Sequence, residues 1–231
     1  ELPAAIYTQK SKIYRGATHS SPASNQPQSK SHTQEMAAHG LCVSHIVRME
    51  QEKGIPKGLL SSIAKIESGK KFTHTKGSAP WPWVINAGGE GRFFKTRGEA
   101  IAAVNKLVKE GKKNVDIGCM QISYLHHGHK FDSVAQMFDP ATNVEYGASF
   151  LKNLYTEHKS WLKAVGMYHS ATLKFQVPYK EKVLKAWQTE KNADYRDILL
   201  AAKFDPEAPL RQSGAKLISG GWVYQGNSPL F

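Results

Sequence analysis

Glu67 is the first residue whose type and position suggest chemistry, because it places a carboxyl group on the apolar face of a predicted helix. It follows Ile63 and Ala64 by four and three residues, which puts the three side chains on one side of the helix. It also lies just before Gly69, at the C-terminal end of that helix, where the helix dipole disfavours negative charge. Burial and the dipole both raise the pKa of a carboxyl group, and an acid that stays protonated near neutral pH can act as a general acid. The alternative is an ordinary helix-end glutamate that faces solvent or pairs with a neighbouring lysine.

A second segment, residues 116–122, carries groups that suit a neutral ligand. Within it, Gly118 permits a positive φ or a close approach of the backbone. Gln121 offers both a donor and an acceptor, and Met120 offers a soft apolar surface. Such a segment suits a polyhydroxylated ligand with amide groups. The alternative is a helix that starts at the glycine and buries Met120 and Ile122 in the core.

Tyr168 is the third candidate. It shares a helical stripe with Trp161, Ala164 and Val165, so its side chain is expected to point inward. A buried tyrosine usually finds a hydrogen-bond partner for its hydroxyl group, and a core tyrosine is the default interpretation.

Together, these segments resemble the motif set of the soluble lytic transglycosylase family, which shares the goose-type lysozyme fold. Each motif alone is weak, but three in the right order with helices between them are specific. The resemblance covers about residues 40–190. The three motifs stand here as Glu67-Ser68, Gly118-Cys119-Met120-Gln121-Ile122 and Ala164-Val165-Gly166-Met167-Tyr168.

The resemblance implies a mainly α (α+β) fold, a lysozyme-like helical domain with a small antiparallel β-hairpin lobe. It also implies that Glu67 is the catalytic acid/base and that Tyr168 hydrogen-bonds either the Glu67 carboxyl group or the substrate. The substrate-binding residues that it implies beside Tyr168 are Ser68, Gly118, Met120, Gln121 and Ile122.

The activity implied is non-hydrolytic cleavage of the MurNAc-β-1,4-GlcNAc bond of peptidoglycan, which leaves a 1,6-anhydro end. One carboxyl group suffices for this reaction, whereas hydrolysing glycosidases generally need two. The alternative enzyme is a lysozyme-like hydrolase (a muramidase) that uses Asp116 or Glu67 to activate water. Neither a metal nor a cofactor is expected, and no metal-binding spacing such as HExxH occurs.

Several positions depart from the family pattern and bear on how substrate is positioned. Gly69 and Lys70 stand near where the family usually has Asn-Pro, and His169 follows the motif tyrosine where asparagine is usual. His169 and Asp116 are therefore secondary candidates, with a structural histidine favoured over a second acid. Trp83, on a predicted hairpin, is a candidate to stack on a sugar ring.

The elements that must position these residues can be read from periodicity and turn signals. Residues 1–36 are Ser-, Gln- and Pro-rich, which predicts a flexible tail. The catalytic domain is predicted over residues 37–190, and a C-terminal extension over residues 191–231. The predicted elements are helices over about 37–54, 56–69 and 100–111, a β-hairpin over 81–95, helices that follow Pro140 and contain Trp161 and Tyr179, and a short helix over 194–203.

Charge indicates an anionic partner. Thirty-one Lys and Arg against nineteen Asp and Glu give a formal net charge of +12. This sign suits nucleic acid, an anionic membrane surface or an acidic polymer such as a cell wall. Because the basic residues are scattered, nucleic acid is the least favoured of these. No apolar run approaches the ~18 residues of a membrane-spanning helix.

The chain has two cysteines, Cys42 and Cys119, and no CxxC pair, which excludes a zinc site built on thiolates. Composition alone leaves a disulfide and two free thiols equally open. The resemblance implies a periplasmic or cell-envelope location, which is oxidising and favours a Cys42–Cys119 disulfide. The expected partners are peptidoglycan glycan strands. A non-catalytic wall-binding component of a secretion, conjugation or flagellar assembly is the alternative of a different class.

Overall fold

The structure, a computed structural model, describes residues 27–74, 76–195, 198–199, 215–218 and 221–224. The helices are α1 (Pro27–Glu52), α2 (Leu59–Ser68), α3 (Arg97–Lys109), α4 (Tyr124–His127), α5 (Val134–Met137), α6 (Pro140–His158), α7 (Trp161–His169) and α8 (Leu173–Glu190). The strands are β1 (Gly69–Lys71), β2 (Ser78–Pro80), β3 (Val84–Ala87), β4 (Glu90–Phe93), β5 (Val115–Ile117), β6 (Ile122–Ser123), β7 (Ala215–Ile218) and β8 (Gly221–Tyr224).

The predicted β-hairpin is confirmed as β3 and β4, which belong to a larger antiparallel sheet of order β4-β3-β5-β6. The segment 116–122, expected as a loop or a helix start, instead forms the end of β5, a tight turn and the start of β6. In this sheet Asn86 lies opposite Asp116, and Asp116 lies opposite Ser123. Three polar residues therefore form a row across the sheet.

Several helices begin at side-chain caps. Asp139 caps α6 by accepting a hydrogen bond from the Thr142 backbone N–H, with Pro140 in the first turn. Ser160 caps α7 in the same way. Thr96 and Glu99 form a reciprocal capping box at the start of α3. These caps satisfy backbone N–H groups that would otherwise lack partners.

The first helix is longer than expected, because it begins at Pro27 and not near Ala37. Glu35 explains part of this difference: its carboxylate accepts a hydrogen bond from Lys70 Nζ at 2.7 Å and from the Thr73 backbone N–H at 3.0 Å. These contacts tie the start of the helix to the segment that follows Glu67. The remainder of the predicted tail, residues 1–26, lies outside the described residues.

The core forms where α1 packs against α2 and α6, α7 packs against α6 and α8, and α2 packs against α8, and it includes buried residues of the sheet. Leu60 and Ile63 of α2 are fully buried, as the predicted stripe requires, whereas Ile66 is 38 % exposed. Cys42 of α1 is bonded to Cys119 in the β5–β6 turn, which confirms the predicted disulfide.

The C-terminal extension is described only in part. Ile198 and Leu199 are helical and pack in a small apolar cluster with Val43 of α1. The rest of the predicted helix over 194–203 lies largely outside the described residues, and β7 pairs with β8 as a hairpin. None of the helices in the described ranges has the length and apolarity needed to cross a membrane.

Candidate functional site

A cleft of about 910 Å³ lies between the end of α2, the sheet and the helices α7 and α8. Of the sequence-predicted site residues, it brings together Glu67, Asp116, Gln121, Ile122, Tyr168 and His169. It is also lined by residues that the motifs did not single out, among them Asn86, Ser123, His126, Phe150, Tyr179 and Lys182.

Glu67 presents a half-buried carboxyl group to this cleft from the next-to-last position of α2. The pKa of Glu67 is raised to about 7, mainly by burial. The hydrogen bond from Tyr179 opposes this rise, and the negative charge of Asp116 adds to it. That hydrogen bond runs from the Tyr179 hydroxyl group to Glu67 Oε1 at 2.6 Å. A carboxyl group with this pKa is half protonated near neutral pH and can both donate and accept a proton.

Tyr179 is itself held by His169. Their rings stack with centroids 4.3 Å apart and planes 3° from parallel, which joins the end of α7 to α8 beside the acid. His169 is largely exposed and lines the cleft. Partial burial of its ring lowers its pKa, and the positive charge of Lys182 lowers it further. The structure thus gives His169 a stacking contact and no hydrogen bond to Glu67.

Tyr168 differs from expectation in the partner of its hydroxyl group. That group donates to the Met120 backbone carbonyl at 2.9 Å, and Tyr179 is the tyrosine that bonds Glu67. Tyr168 still lines the cleft, and the neighbouring charge of Glu67 contributes, after burial, to raising the pKa of Tyr168 well above its usual value. It holds the β5–β6 turn against α7.

Asn143 of α6 determines the shape of that turn. Its Oδ1 accepts a hydrogen bond from the Met120 backbone N–H at 2.8 Å, and its Nδ2 donates to the carbonyl groups of Ile117 and Met137. Gly118 has φ +79°, and a Cβ atom there would lie 2.7 Å from Asn143 Nδ2. The glycine of the motif is therefore required both by its backbone conformation and by the close approach of the asparagine side chain.

Gln121 projects from the turn into the cleft with φ +46°. Its Nε2 donates to the Gly118 carbonyl at 3.0 Å and, at 3.3 Å, to the Val84 carbonyl. The two backbone carbonyl groups thus bind the amide nitrogen and orient the side chain. The amide oxygen remains available to accept a hydrogen bond from a ligand.

Four predicted substrate-binding residues are not among the described residues that line the cleft. Ser68 is buried and its hydroxyl group bonds the carbonyl groups of Ala64 and Cys119, so it joins α2 to the turn. Gly118 and Met120 are buried in the turn, and Met120 is part of the core. Trp83 is half-buried, packs against the core, and is not among the described residues that line the cleft.

Asp116 occupies the centre of the polar row on the sheet, between Asn86 and Ser123. Burial raises its pKa, while a hydrogen bond with Ser123 and the charge of His126 oppose that rise. The cleft therefore contains a second carboxyl group that interacts electrostatically with Glu67.

A second cavity of about 410 Å³ lies between α1, the start of α2 and the end of α8, and is mainly apolar. Three acids line it, Glu50, Glu190 and Asp194, and the first two have identified partners. Glu50 accepts hydrogen bonds from the Gly58 and Ser61 backbone N–H groups, and Glu190 pairs with Lys65 Nζ at 2.7 Å. Glu50 and Glu190 therefore stabilise the fold around α2, and the chemistry belongs to the Glu67 cleft.

Within the described ranges, no three His, Cys, Asp or Glu side chains are arranged so that they could hold a metal ion. The site presents an acid, a hydrogen-bond donor to that acid, an oriented amide and aromatic surface beside an open cleft. This set provides the groups that general acid and base chemistry on a large polar substrate requires, on a mainly helical fold.

A family model described as the transglycosylase SLT domain matches residues 44–185. The match spans more than half of the chain and includes Glu67, the β5–β6 turn and both cleft tyrosines. The chain belongs to the SLT transglycosylase family, whose members are lytic transglycosylases of peptidoglycan. No curated protein and no solved structure matches it.

Proposed function

We propose that the chain is a peptidoglycan lytic transglycosylase that cleaves the MurNAc-β-1,4-GlcNAc bond with Glu67 as its acid and base. The observation that carries this proposal is the Glu67 carboxyl group, which faces the cleft with a pKa of about 7 and accepts a hydrogen bond from Tyr179. A general acid works best when its pKa is near the operating pH.

In the proposed reaction, Glu67 gives its proton to the glycosidic oxygen as the bond from that oxygen to C1 of the N-acetylmuramyl ring breaks. The Glu67 carboxylate then removes the proton from the C6 hydroxyl group of the same ring, and O6 bonds to C1. No water is consumed, and the product carries a 1,6-anhydro end. The nucleophile is the C6 hydroxyl group of the substrate itself, so its effective concentration at C1 is high and the reaction needs no bound water.

Tyr179 supports the carboxylate stage of this cycle. Its hydroxyl group donates to Glu67 Oε1, which favours the charged carboxylate and opposes the effect of burial. The two influences leave the pKa of Glu67 near neutral pH, where donation and acceptance of the proton are both accessible.

A lysozyme-like hydrolase is the second candidate, and Asp116 is the observation that favours it. A second carboxyl group in the same cleft can activate water, as hydrolysing glycosidases require. The two candidates differ in their products, since the anhydro product is one water lighter than the hydrolysed one.

The test is digestion of purified sacculi by the wild type and by Glu67→Gln, with product masses as the readout. Glutamine keeps the size of the side chain and can still accept from Tyr179, but it has no transferable proton. We expect a rate loss on the order of 10²–10⁴ or more, and anhydro products from the wild type. The matched control is Glu145→Gln on α6, an exposed glutamate that is not among the described residues lining the cleft, and this variant should cleave normally.

If Glu67→Gln cleaves sacculi at the wild-type rate, the assignment of Glu67 as the acid is refuted. Asp116→Asn separates the two reactions: a transglycosylase keeps its anhydro products, whereas a hydrolase that depends on Asp116 loses its activity. A wild type that yields only water-added products would establish the hydrolase.

The proposed location is the bacterial periplasm or cell envelope, which the Cys42–Cys119 disulfide supports because such bonds persist in oxidising compartments. The wall-binding role within a secretion, conjugation or flagellar assembly stays a prediction. A retained acid with a pKa near 7 favours an active enzyme over a purely binding one.

A further inference from the structure

A basic pocket of about 720 Å³ lies beside the cleft and takes no part in the proposed chemistry. It is formed by the β3–β4 turn, the loop between α3 and β5, and α4. Three cations line it, Arg92, Lys112 and Lys113, together with one acid, Glu90.

The cations are available to a ligand. Lys112 pairs with Glu110 at 3.0 Å, but this pair is exposed and therefore weak. Arg92 and Lys113 are exposed and have no protein partner within the part of the chain that the structure describes. Two unpaired charges of one sign that line one concavity favour an anion with more than one charged group.

The pocket also has an apolar side. Leu125 is 50 % exposed there, and Ala87 and Leu107 lie half-buried beside it. The turn at Gly88 and Gly89 leaves open space where side chains would otherwise stand. The matching ligand therefore combines anionic groups with small apolar groups.

The pocket and the cleft share two elements. On β3, Asn86 lines the cleft, and the next residue, Ala87, lines the pocket on the other face of the strand. On α4, His126 lines the cleft while the preceding Leu125 lines the pocket. Adjacent residues have Cα atoms about 3.8 Å apart, so the two sites adjoin opposite faces of the sheet at the end of β3.

We infer that this pocket binds the anionic stem peptide of the glycan strand held in the cleft. This inference rests on the proposed function, which places the glycan at Glu67. A stem of four residues extends about 14 Å, which is enough to pass around the end of a strand. The cleft keeps two carboxyl groups, Glu67 and Asp116, near the sugar, while the peptide carboxylates reach Arg92 and Lys113.

The binding test uses the synthetic tetrapeptide L-alanyl-γ-D-glutamyl-meso-diaminopimelyl-D-alanine, titrated into the full chain with backbone amide chemical shifts as the readout. We expect saturable shifts at the β3–β4 turn and at residues 111–114 that weaken as salt is added. The variant Arg92→Gln/Lys113→Gln should lose this response. The matched control, Lys106→Gln/Lys109→Gln, removes two exposed charges from the neighbouring α3 outside the pocket and should keep it.

The kinetic test compares intact sacculi with glycan strands from which an amidase has removed the peptides. The ratio of kcat/KM for peptide-bearing to peptide-free strands should fall roughly three- to tenfold in Arg92→Gln/Lys113→Gln, as expected for two exposed charge contacts. The ratio should stay at the wild-type value in Lys106→Gln/Lys109→Gln.

The inference is overturned if the tetrapeptide binds both double variants equally, or if a phosphate polymer occupies the pocket more tightly than the peptide. Cleavage of glycan without peptide binding would refute the pocket and leave the proposed activity intact. Peptide binding without glycan cleavage would refute the proposed activity and support the pocket.

Discussion

At the scale of single residues, the chemistry depends on one carboxyl group and its immediate partner. Burial of Glu67 raises its pKa to about 7, and the Tyr179 hydroxyl group opposes that rise from 2.6 Å. Because Glu67 must be protonated to act as the acid, kcat/KM is expected to fall as the pH rises through the pKa of Glu67.

Tyr179→Phe removes a donor that favours the Glu67 carboxylate, so the pKa of Glu67 should rise above that of the wild type. The alkaline limb of the pH profile of kcat/KM should therefore move to higher pH. The measurement is sacculus cleavage between pH 5 and pH 9, with Tyr155→Phe as the control. Tyr155 stacks on Trp161 with ring centroids 4.0 Å apart, away from the cleft lining. A shift of the limb to lower pH would contradict the role given to Tyr179.

Glu67 also makes stability depend on pH. Its pKa is raised in the folded chain, so the native state binds more protons than the unfolded state between about pH 4.5 and pH 7. Stability is therefore lost as the pH rises through this window, and Glu67→Gln should remove the loss. We expect Glu67→Gln to be more stable than the wild type by about 1–3 kcal/mol at pH 8 and by little at pH 4. Urea unfolding at the two pH values measures the free energy of unfolding of both proteins. If the variant and the wild type differ by the same amount at pH 4 and at pH 8, the raised pKa of Glu67 is contradicted.

At the scale of elements, the site depends on the β5–β6 turn, which three elements hold from different sides. Ser68 binds it from the end of α2, Tyr168 from α7 and Asn143 from α6. Each contact reaches a backbone group of the turn, so the turn keeps Gln121 and Ile122 on the cleft side.

Asn143→Ala should destabilise the chain by about 2–4 kcal/mol, because it leaves the Met120 N–H and the Ile117 and Met137 carbonyl groups without this partner in the interior. Activity should fall as well, since the turn carries Gln121. The measurement is urea unfolding beside sacculus cleavage. Asn153→Ala is the matched control, because Asn153 is exposed on the same helix. Equal effects of the two substitutions would show that the Asn143 contacts do not hold the turn.

At the scale of the whole molecule, the Cys42–Cys119 bond joins the first helix to the cleft wall across 77 positions of sequence. In the chain-entropy model, a loop of this length corresponds to roughly 4 kcal/mol of stabilisation. Reduction should loosen the turn and lower activity before the domain unfolds. Activity and near-ultraviolet circular dichroism, followed together during reduction, test this order.

Thiol titration of the denatured, non-reduced chain supplies the direct check of the bond. We expect no reactive thiols, because the structure contains no free cysteine. Two reactive thiols per chain would refute the disulfide and weaken the case for an envelope location.

The sequence by itself determined the features that depend on local period and residue type. Helical spacing placed Glu67 at the end of an apolar stripe, and the predicted helix that follows Pro140 and the predicted hairpin over 81–95 both form. The motif order then led to the family, and the presence of only two cysteines made Cys42–Cys119 the one pairing available within the chain.

Only the tertiary structure decided which side chains meet. Tyr168 and Tyr179 both lie on inward stripes of their helices, and spacing gives the face of a residue but not its partner across a helix–helix contact. The packing of α7 and α8 sends Tyr168 to the Met120 carbonyl and Tyr179 to Glu67. Ser68 turns inward because the end of α2 packs against the β5–β6 turn, and Met120 is buried because α6 and α7 pack against that turn. Asn143, far from every motif in sequence, holds the turn because α6 packs beneath it, and no local pattern marks such a contact.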